Sequence, residues 1–286
     1  MNRYNFVLQQ RTLLGSRLFT NNRGPVDPLP NPDLITSGGK SSYIGFGKFE
    51  GMSRETGSIS KALEYLSEAL KAHNSTTQTP ETKREEARFH HDMAMCHHRA
   101  AEIQPAIEKY ERAIRLLEVL LQETPVNDKT SQIIKRSRFD LSSAYSGLSV
   151  AYADISADEP SMEYALKALE LRKAVMGPNH ASVAECLNNL GGLYFRKENF
   201  NKAAEVYQES LRILLTKTAG KEDNKYVALA YYNIGLTYDK LGIKKGKDAV
   251  HKAYLIAEHI FGPFHDQTIQ IKQSLEAMNN STNDVA

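Results

Sequence analysis

The chain repeats itself at a fixed distance, and this periodicity limits what it can fold into. A Gly-Pro-Asn-His run at 177–180 recurs 85 residues later as Gly-Pro-Phe-His at 262–265, and the Lys-Ala pair at 167–168 recurs at the same distance at 252–253. This distance corresponds to two structural units of about 42 residues each. Units of that length stack into arrays in which each one buries its apolar face against the next.

Each unit is predicted to form two packed helices. From residue 58 onward the apolar residues recur at helical spacing, without the alternation that marks a strand. In the first helix of a unit, a large apolar residue is followed by a small one, and an aromatic residue lies four positions after the large one. Examples are Leu148, Ser149 and Tyr152; Leu190, Gly191 and Tyr194; and Ile234, Gly235 and Tyr238.

In the second helix, two small residues lie seven positions apart with a bulky residue between them. Examples are Ala106, Tyr110 and Ala113, and Ala203, Tyr207 and Ser210. A small residue lets the partner helix approach closely, and the bulky residue fills the space beside it. The pattern therefore favours helical hairpins.

The helices can be placed along the chain from this pattern. We predict them at residues 58–73, 82–99, 104–122, 130–154, 160–176, 181–196, 201–217, 224–240 and 247–261, with a closing helix near 266–278. The closing helix is predicted to cover the last apolar face of the array with polar residues, namely Gln267, Gln270, Lys272, Gln273 and Glu276. The repeat domain is thus expected at 58–278, after a largely irregular linker at 21–57 and before a disordered tail at 279–286.

This pattern resembles the tetratricopeptide-repeat family, and residues 168–210 resemble the longer repeats of kinesin light chains. The match rests on Leu-Asn-Asn-Leu at 187–190, on Leu193 and Tyr194, and on the preceding run at 177–180. The resemblance covers roughly residues 58–275 and implies an all-α, right-handed superhelix of about four helical hairpins plus a capping helix. Residues 127–154 and 244–247 depart from the regular pattern. Such folds are platforms, so the resemblance says little about function.

Composition excludes several functional classes. The net charge of +2 is too small for a strongly basic nucleic-acid binder. No apolar stretch approaches the length of about 20 residues that a membrane-spanning helix needs. The two cysteines, Cys96 and Cys186, form neither a disulfide framework nor a zinc motif and are expected to be small buried hydrophobes.

Four histidines lie close together in the sequence. His90 and His97 are seven positions apart, as are His91 and His98. Two ligands of one metal on a helix are usually three or four positions apart. We therefore interpret these histidines as surface or groove residues, with a metal or pH-sensitive site as the alternative. No catalytic residue, metal site or cofactor is predicted, and the chain is not expected to be an enzyme.

The N-terminus has an uneven charge. Residues 1–26 contain four arginines and no acid; the first acid is Asp27. This composition is typical of a mitochondrial transit peptide, and the positive charge suits import toward a negative matrix interior. Residues 17–20 resemble the site cut by the matrix processing protease, so a transit peptide is predicted at 1–20 with cleavage near Arg17, Phe19 and Thr20. The alternative is a tail that lacks acids by chance.

The resemblance also implies a binding groove, because first helices line the inner surface in this family. The candidate groove residues are Arg88, His91, Asp92, His98, Arg99, Asn188, Asn189, Arg196, Tyr232, Asn233 and Lys240. Asn189 and Asn233 occupy equivalent places, and an amide both donates and accepts, which suits the backbone of an extended peptide. Alternatively, the two asparagines hold neighbouring repeats together through hydrogen bonds to the backbone. The cations among these residues favour an acidic or C-terminal partner segment.

The repeat array and the N-terminus together resemble mitochondrial tetratricopeptide-repeat factors that serve respiratory complex III. By this resemblance, the protein would be a factor in the matrix, or on the matrix face of the inner membrane, that assists assembly or maintenance of that complex. Its partners would be subunits of a mitochondrial complex. A cytoplasmic adaptor of the kinesin-light-chain type is one alternative, although no heptad array precedes the repeats. A stoichiometric accessory subunit of a large mitochondrial assembly is another.

Overall fold

The computed structural model describes residues 56–73, 77–128, 130–217 and 224–283, and all regular structure in these ranges is helical. The ten helices are α1 (Thr56–His73), α2 (Pro80–Arg99), α3 (Ile103–Glu123), α4 (Ser131–Asp154), α5 (Asp158–Met176), α6 (Ala181–Arg196), α7 (Phe200–Lys217), α8 (Lys225–Lys240), α9 (Lys245–Phe261) and α10 (Asp266–Asn283). The predicted transit peptide and nearly all of the predicted linker lie outside the described residues.

The helices follow the prediction closely, and the main difference is at the C-terminus. The sequence predicts that the last helix ends near residue 278 and that a tail begins at 279, whereas α10 continues to Asn283. No glycine or proline interrupts the polar run at 279–283, so nothing in it forces the helix to stop. The unusually long stretch before residue 154 forms the single 24-residue helix α4.

The repeated Gly-Pro-X-His run is the junction that ends one helix and starts the next. Gly177 and Gly262 both have a φ of 85°, a left-handed conformation that glycine adopts without strain. After each glycine, a histidine caps the following helix. The Nδ1 atom of His180 accepts a hydrogen bond from the Ser182 N–H at 3.2 Å, and Nδ1 of His265 accepts one from the Gln267 N–H at 3.3 Å. The sequence repeat therefore encodes a repeated chain reversal.

The helices pair into four antiparallel hairpins, α2/α3, α4/α5, α6/α7 and α8/α9, which stack in chain order. Helix α1 packs on α2 at one end, and α10 packs on α9 at the other. Close helix contact depends on the small residues that the sequence pattern identified. In the hairpin α4/α5, the Ser149 hydroxyl donates to the Ser161 carbonyl at 2.8 Å, and the Ser161 hydroxyl donates to the Ser149 carbonyl at 2.8 Å.

Gly191 shows how little space these contacts leave. A Cβ atom at this position would lie 2.5 Å from Cε1 of the buried Tyr207 ring. We expect Gly191→Ala to lower the free energy of unfolding by about 1–2 kcal/mol, because overpacking costs more than the gain of about 1 kcal/mol in helix propensity. Urea denaturation measures the change.

The control for this prediction uses the same substitution where space is available. In a Tyr207→Leu background, Gly191→Ala no longer meets the ring. It should then raise the free energy of unfolding relative to Tyr207→Leu alone, because only the helix propensity remains. A loss of the same size in both backgrounds would contradict the steric explanation.

Candidate binding surface on the first helices

The first helices of the four hairpins, α2, α4, α6 and α8, form one continuous surface that we name the inner wall. Neighbouring first helices contact each other directly, whereas neighbouring second helices make fewer contacts with each other. The stack therefore curves with its first helices on the inside. Such a curved array presents an extended concave surface.

Polar pairs join α2 to α4 at a constant spacing. Arg84 Nε lies 2.7 Å from Asp140 Oδ2, and His98 Nε2 lies 2.7 Å from Asp154 Oδ2. Each pair joins residues 56 positions apart in the chain, so the two helices run side by side in register. His98 is one of the groove residues predicted from the sequence, whereas Arg84 and Asp140 are not among them.

A second set of contacts joins α6 to α4. The Asn189 side-chain amide donates to the Ser146 hydroxyl at 3.2 Å, and Arg196 donates to the Ala153 carbonyl. Both contacts join residues 43 positions apart, which again indicates parallel helices in register. Arg196 also pairs with Asp158 of α5 at 3.0 Å. This candidate cation therefore holds neighbouring hairpins together.

The asparagines that the sequence analysis singled out bridge neighbouring repeats. The Asn233 amide of α8 donates to Oδ1 of Asn188 in α6 at 2.8 Å, as Asn189 does to Ser146 of α4. These bonds run between side chains. Asn233 is buried, whereas Asn188 and Asn189 remain partly exposed. Each bond uses only one end of an amide. The side-chain N–H groups of Asn188 and the side-chain carbonyl oxygen of Asn189 therefore take part in neither of these bridges.

The remaining candidates fall into two groups. Arg88, His91, Asp92 and Arg99 lie half-buried along α2, and Lys240 is exposed at the end of α8. The His91 ring packs edge-on against Tyr110, with 5.5 Å between ring centroids. Tyr232, in contrast, is buried, and its hydroxyl is 2.8 Å from the Ser274 hydroxyl of α10. Tyr232 thus contributes to the joint with the closing helix.

Two carboxylates on the first helices, Glu185 and Asp140, have raised pKa values. Glu185 of α6 is exposed at the surface, yet limited solvation raises its pKa, against the opposing effects of Arg172, His180 and Lys225. Burial likewise raises the pKa of Asp140, although Arg84 and Arg88 act in the opposite direction. In both cases the effect of desolvation outweighs that of the nearby cations.

A buried arginine under the inner wall was not anticipated. Arg172 of α5 is only 5% exposed. Its Nε donates to the Ser142 hydroxyl at 2.6 Å, and its Nη2 donates to the Ser143 hydroxyl at 2.9 Å. The guanidinium lies 4.2 Å from the centroid of the Phe139 ring. Arg172 lies in a charged run of the sequence. It follows the small residue Ala168 by four positions, as Leu117 follows Ala113 and Leu214 follows Ser210 in the neighbouring second helices.

The structure partly corrects the prediction for the four histidines. We expected all four histidines on the surface or in the groove, but His90 is buried at 8% exposure because it faces the neighbouring helix of its hairpin. The other three are partly exposed, and each lies beside an acid. Within the described ranges, no group of three or more potential metal ligands is present.

His90 gives a pH prediction. Burial, followed by the positive charges of Lys109 and Arg112, lowers its pKa from 6.5 to about 4. Between these values the unfolded chain binds a proton here and the folded chain does not, so acidification destabilises the fold. We expect this residue to account for a loss of about 1–2 kcal/mol from pH 7 to pH 4.

The neutral variant His90→Gln supplies the comparison. Urea denaturation of both proteins across this pH range should show the wild type losing stability faster than His90→Gln. Parallel curves would contradict the assignment, because the remaining titrating groups are common to both proteins.

Burial also makes the two thiols unreactive. It raises the pKa of Cys96 and of Cys186 to about 11. The thiolate, which is the reactive form, is therefore scarce at neutral pH.

In the part of the chain that the structure covers, no helix combines the length and the apolar character needed to cross a bilayer.

Comparison with known proteins identifies the repeats. Residues 137–216, which run from α4 to α7, match the family model of the tetratricopeptide repeat. A clustered mitochondria protein homolog from Candida albicans is 29% identical over 138 residues. The aligned region is 45% of this chain but only 10% of that protein, so the chain spans about a tenth of this relative's length.

Solved structures share the fold. BtubC (BKLC) from P. vanneervenii has a TM-score of 0.61 and 21% identity, covering 77% of this chain and 80% of that one. A putative kinesin light chain with nearly identical repeats from Podospora anserina has a TM-score of 0.53 and 12% identity, covering 74% and 93%. A Rap protein complexed with competence and sporulation factor has a TM-score of 0.56 and 19% identity, covering 89% and 65%.

These findings confirm the resemblance to tetratricopeptide repeats and to the repeats of kinesin light chains. The identities to the solved structures are low, so the likeness concerns the fold. This fold is one that supports protein–protein interaction. Residues 137–216 are thus similar to tetratricopeptide repeats, and the described residues form an all-α, right-handed superhelix of four helical hairpins with a closing helix.

Proposed function

We propose that the protein is a non-enzymatic scaffold that holds a segment of a partner protein along the inner wall. The observation that carries this proposal is the alignment of α2, α4, α6 and α8 in register, with polar bridges between them. The bridges fix the spacing of the wall, and the partly exposed Asn188 and Asn189 each keep an amide group that the bridges do not use. A backbone in extended conformation offers both donors and acceptors to such groups.

The charge of the wall favours an acidic segment. Arg88 and Arg99 lie on α2 and Lys240 ends α8, and these cations supplement the neutral amides between them. A carboxylate that binds to these cations forms charge-assisted hydrogen bonds, which are stronger than neutral ones. The partner segment in this proposal is therefore extended and acidic, or ends in a C-terminal carboxylate.

We further propose a mitochondrial location and a role in assembling or maintaining a respiratory complex, complex III by resemblance. The acid-free, arginine-bearing segment at 1–26 supports the location. The similarity to a clustered mitochondria protein homolog agrees with a mitochondrial connection. The kinesin-light-chain-like fold supports the second candidate, a cytoplasmic adaptor for cargo proteins.

One experiment separates these possibilities. The full chain, tagged at its C-terminus and expressed in its native cells, is fractionated, its N-terminus is sequenced and its co-purifying proteins are identified. A mature N-terminus near Thr20 in mitochondria, with subunits of a respiratory complex, supports the assembly role. An intact Met1 in the cytosol overturns the location and favours the adaptor. Constant stoichiometry with one complex would instead indicate an accessory subunit.

A further inference from the structure

Arg172 carries a positive charge that the described part of the protein does not neutralise. Its side chain is only 5% exposed, and it forms no ion pair with a carboxylate of the described residues. Its hydrogen-bond partners are the neutral hydroxyls of Ser142 and Ser143. A charge that is buried without a counter-charge costs free energy, so an unpaired guanidinium at this place favours the binding of an anion.

Packing alone does not require an arginine at this position. Leu117 of α3 and Leu214 of α7 are the equivalent residues of the neighbouring second helices, and both are buried. An apolar side chain therefore fills the same space in these two hairpins. Replacing a buried charge by an apolar side chain of similar size is often neutral or stabilising. The charge of Arg172 thus needs an explanation other than packing.

One nitrogen of the Arg172 guanidinium is available to a ligand. Every nitrogen of a guanidinium is a donor, and here Nε and Nη2 donate to the two serine hydroxyls. Nη1 donates to none of the described residues, and it is not enclosed by protein, so it reaches solvent. The serines and the Phe139 ring hold the rest of the guanidinium in place. Arg172 therefore presents a fixed donor at its exposed end.

This exposed end lies at the inner wall, in the seam between α4 and α6. Ser143 lies five positions before the large apolar residue of its helix, as the groove candidate Arg88 does on α2 and the exposed Glu185 does on α6. Ser143 therefore faces the groove as they do. The charge of Arg172 also acts across the seam, because it is the largest influence that opposes the rise in the pKa of Glu185.

The charges around the seam favour an anion that comes from outside. Arg136 lies on α4 seven residues before Ser143, about two turns along the same side of the helix. It is exposed and forms no ion pair with the described residues. Glu185 is the acid on the facing helix, yet it is not paired with Arg172 or with another described cation. A bound anion would be repelled by Glu185, so removing this carboxylate should strengthen binding.

We propose that Arg172 binds one carboxylate of the partner segment, in the seam between α4 and α6. Nη1 donates to the carboxylate in a charge-assisted hydrogen bond. The side-chain carbonyl oxygen of Asn189, one turn after Glu185 on α6, accepts from the backbone of the same segment. This inference rests on the proposed function, because it names the anchor for the acidic segment that the inner wall holds. The anchor is a residue of a second helix that reaches the wall from below.

An NMR titration of the full chain with short peptides tests the anchor. The probe acetyl-Gly-Ala-Glu-Ala-Gly-amide is compared with the same peptide in which glutamine replaces glutamate, while the Nε–H signal of Arg172 is followed. The glutamate peptide should give saturable shifts with a Kd on the order of 1 mM, as expected for one charged contact. The glutamine peptide should bind at least tenfold more weakly.

A third peptide separates the two sources of a carboxylate. It carries glutamine at the centre and a free C-terminal carboxylate in place of the amide. Saturable binding of this peptide or of the glutamate peptide supports the anchor, and the tighter of the two identifies the source as a chain end or a side chain.

Variants separate the anchor from a general attraction to the charge of the wall, with the Ser143 backbone amide as the signal common to all of them. Arg172→Leu should abolish saturable binding, and Arg172→Lys, which lacks the planar guanidinium, should weaken it several-fold. Glu185→Gln should strengthen binding at least twofold. Lys240→Gln, the matched loss of a cation on α8, should change it less than twofold. Circular dichroism and the thermal midpoint check that each variant is folded.

Four results would overturn the inference. They are no saturable shift with either carboxylate peptide, equal binding of the glutamate and glutamine peptides, weaker binding by Glu185→Gln than by the wild type, and an effect of Lys240→Gln as large as that of Arg172→Leu. Failure of the anchor is distinguishable from failure of the inner-wall proposal, because crosslinking of the native partner to the first helices does not require a carboxylate at Arg172.

Discussion

Arg172→Ala is expected to lower the free energy of unfolding by about 2–5 kcal/mol, while Arg172→Leu should change it by less than about 1.5 kcal/mol. Alanine leaves a cavity among α4, α5 and α6 and removes the donors that the Ser142 and Ser143 hydroxyls now accept from. Leucine refills the space with the residue found at positions 117 and 214. Replacing a buried charge by an apolar side chain of similar size is often neutral or stabilising.

Urea denaturation of the two variants checks this prediction. The two serine hydroxyls keep a partner in both variants, since each also donates to the Phe139 carbonyl. The difference between alanine and leucine therefore reports mainly on the filled volume. If Arg172→Leu were as damaging as Arg172→Ala, the charge itself would be essential, and the equivalence with Leu117 and Leu214 would not hold.

Removing the Arg84 cation should have an effect of similar size. Arg84→Met leaves the Asp140 carboxylate without its partner at 2.7 Å, in a place where both side chains are less than one-fifth exposed. Breaking such a pair on one side costs about 3–5 kcal/mol at full burial, and we expect about 2–4 kcal/mol here. The double variant Arg84→Met/Asp140→Leu should recover most of this loss, because it removes both charges.

The pH dependence distinguishes an unpaired charge from lost packing. Burial already raises the pKa of Asp140, and the loss of Arg84 removes an opposing influence. The folded variant therefore takes up a proton at Asp140 at a higher pH than the unfolded chain does, which stabilises the fold as the pH falls. The stability deficit of Arg84→Met should shrink on acidification. A deficit that stays constant between pH 7 and pH 4 would point to packing alone.

The helical hairpins were predictable because local sequence encodes them. The Gly-Pro-X-His run fixes both the end of one helix and the cap of the next, and the glycine–tyrosine pairs fix the close contact within a hairpin. These features depend on neighbours in the chain. The bounds of most helices could therefore be read from the sequence to within about two residues.

The contacts between repeats were less predictable. Arg172, His90 and Gln267 look like surface residues in the sequence, yet all three are buried against neighbouring helices. Which side of a helix is covered depends on the angle between successive hairpins, and local patterning does not specify that angle. Equivalent positions in the four second helices hold Leu117, Arg172, Leu214 and Ala257. The departure from leucine at two of these positions is the sequence signal that could have revealed the buried arginine.

Site-specific photo-crosslinking in native cells tests the inner wall most directly. A photoreactive phenylalanine analogue is placed at Glu185 or Lys240, both exposed on first helices, and at Leu166 or Glu205, both exposed on second helices. The inner-wall positions should yield adducts to the same partner protein, and the outer positions should not. Adducts formed equally well, or only, from Leu166 and Glu205 would contradict the assignment of the binding surface to the first helices.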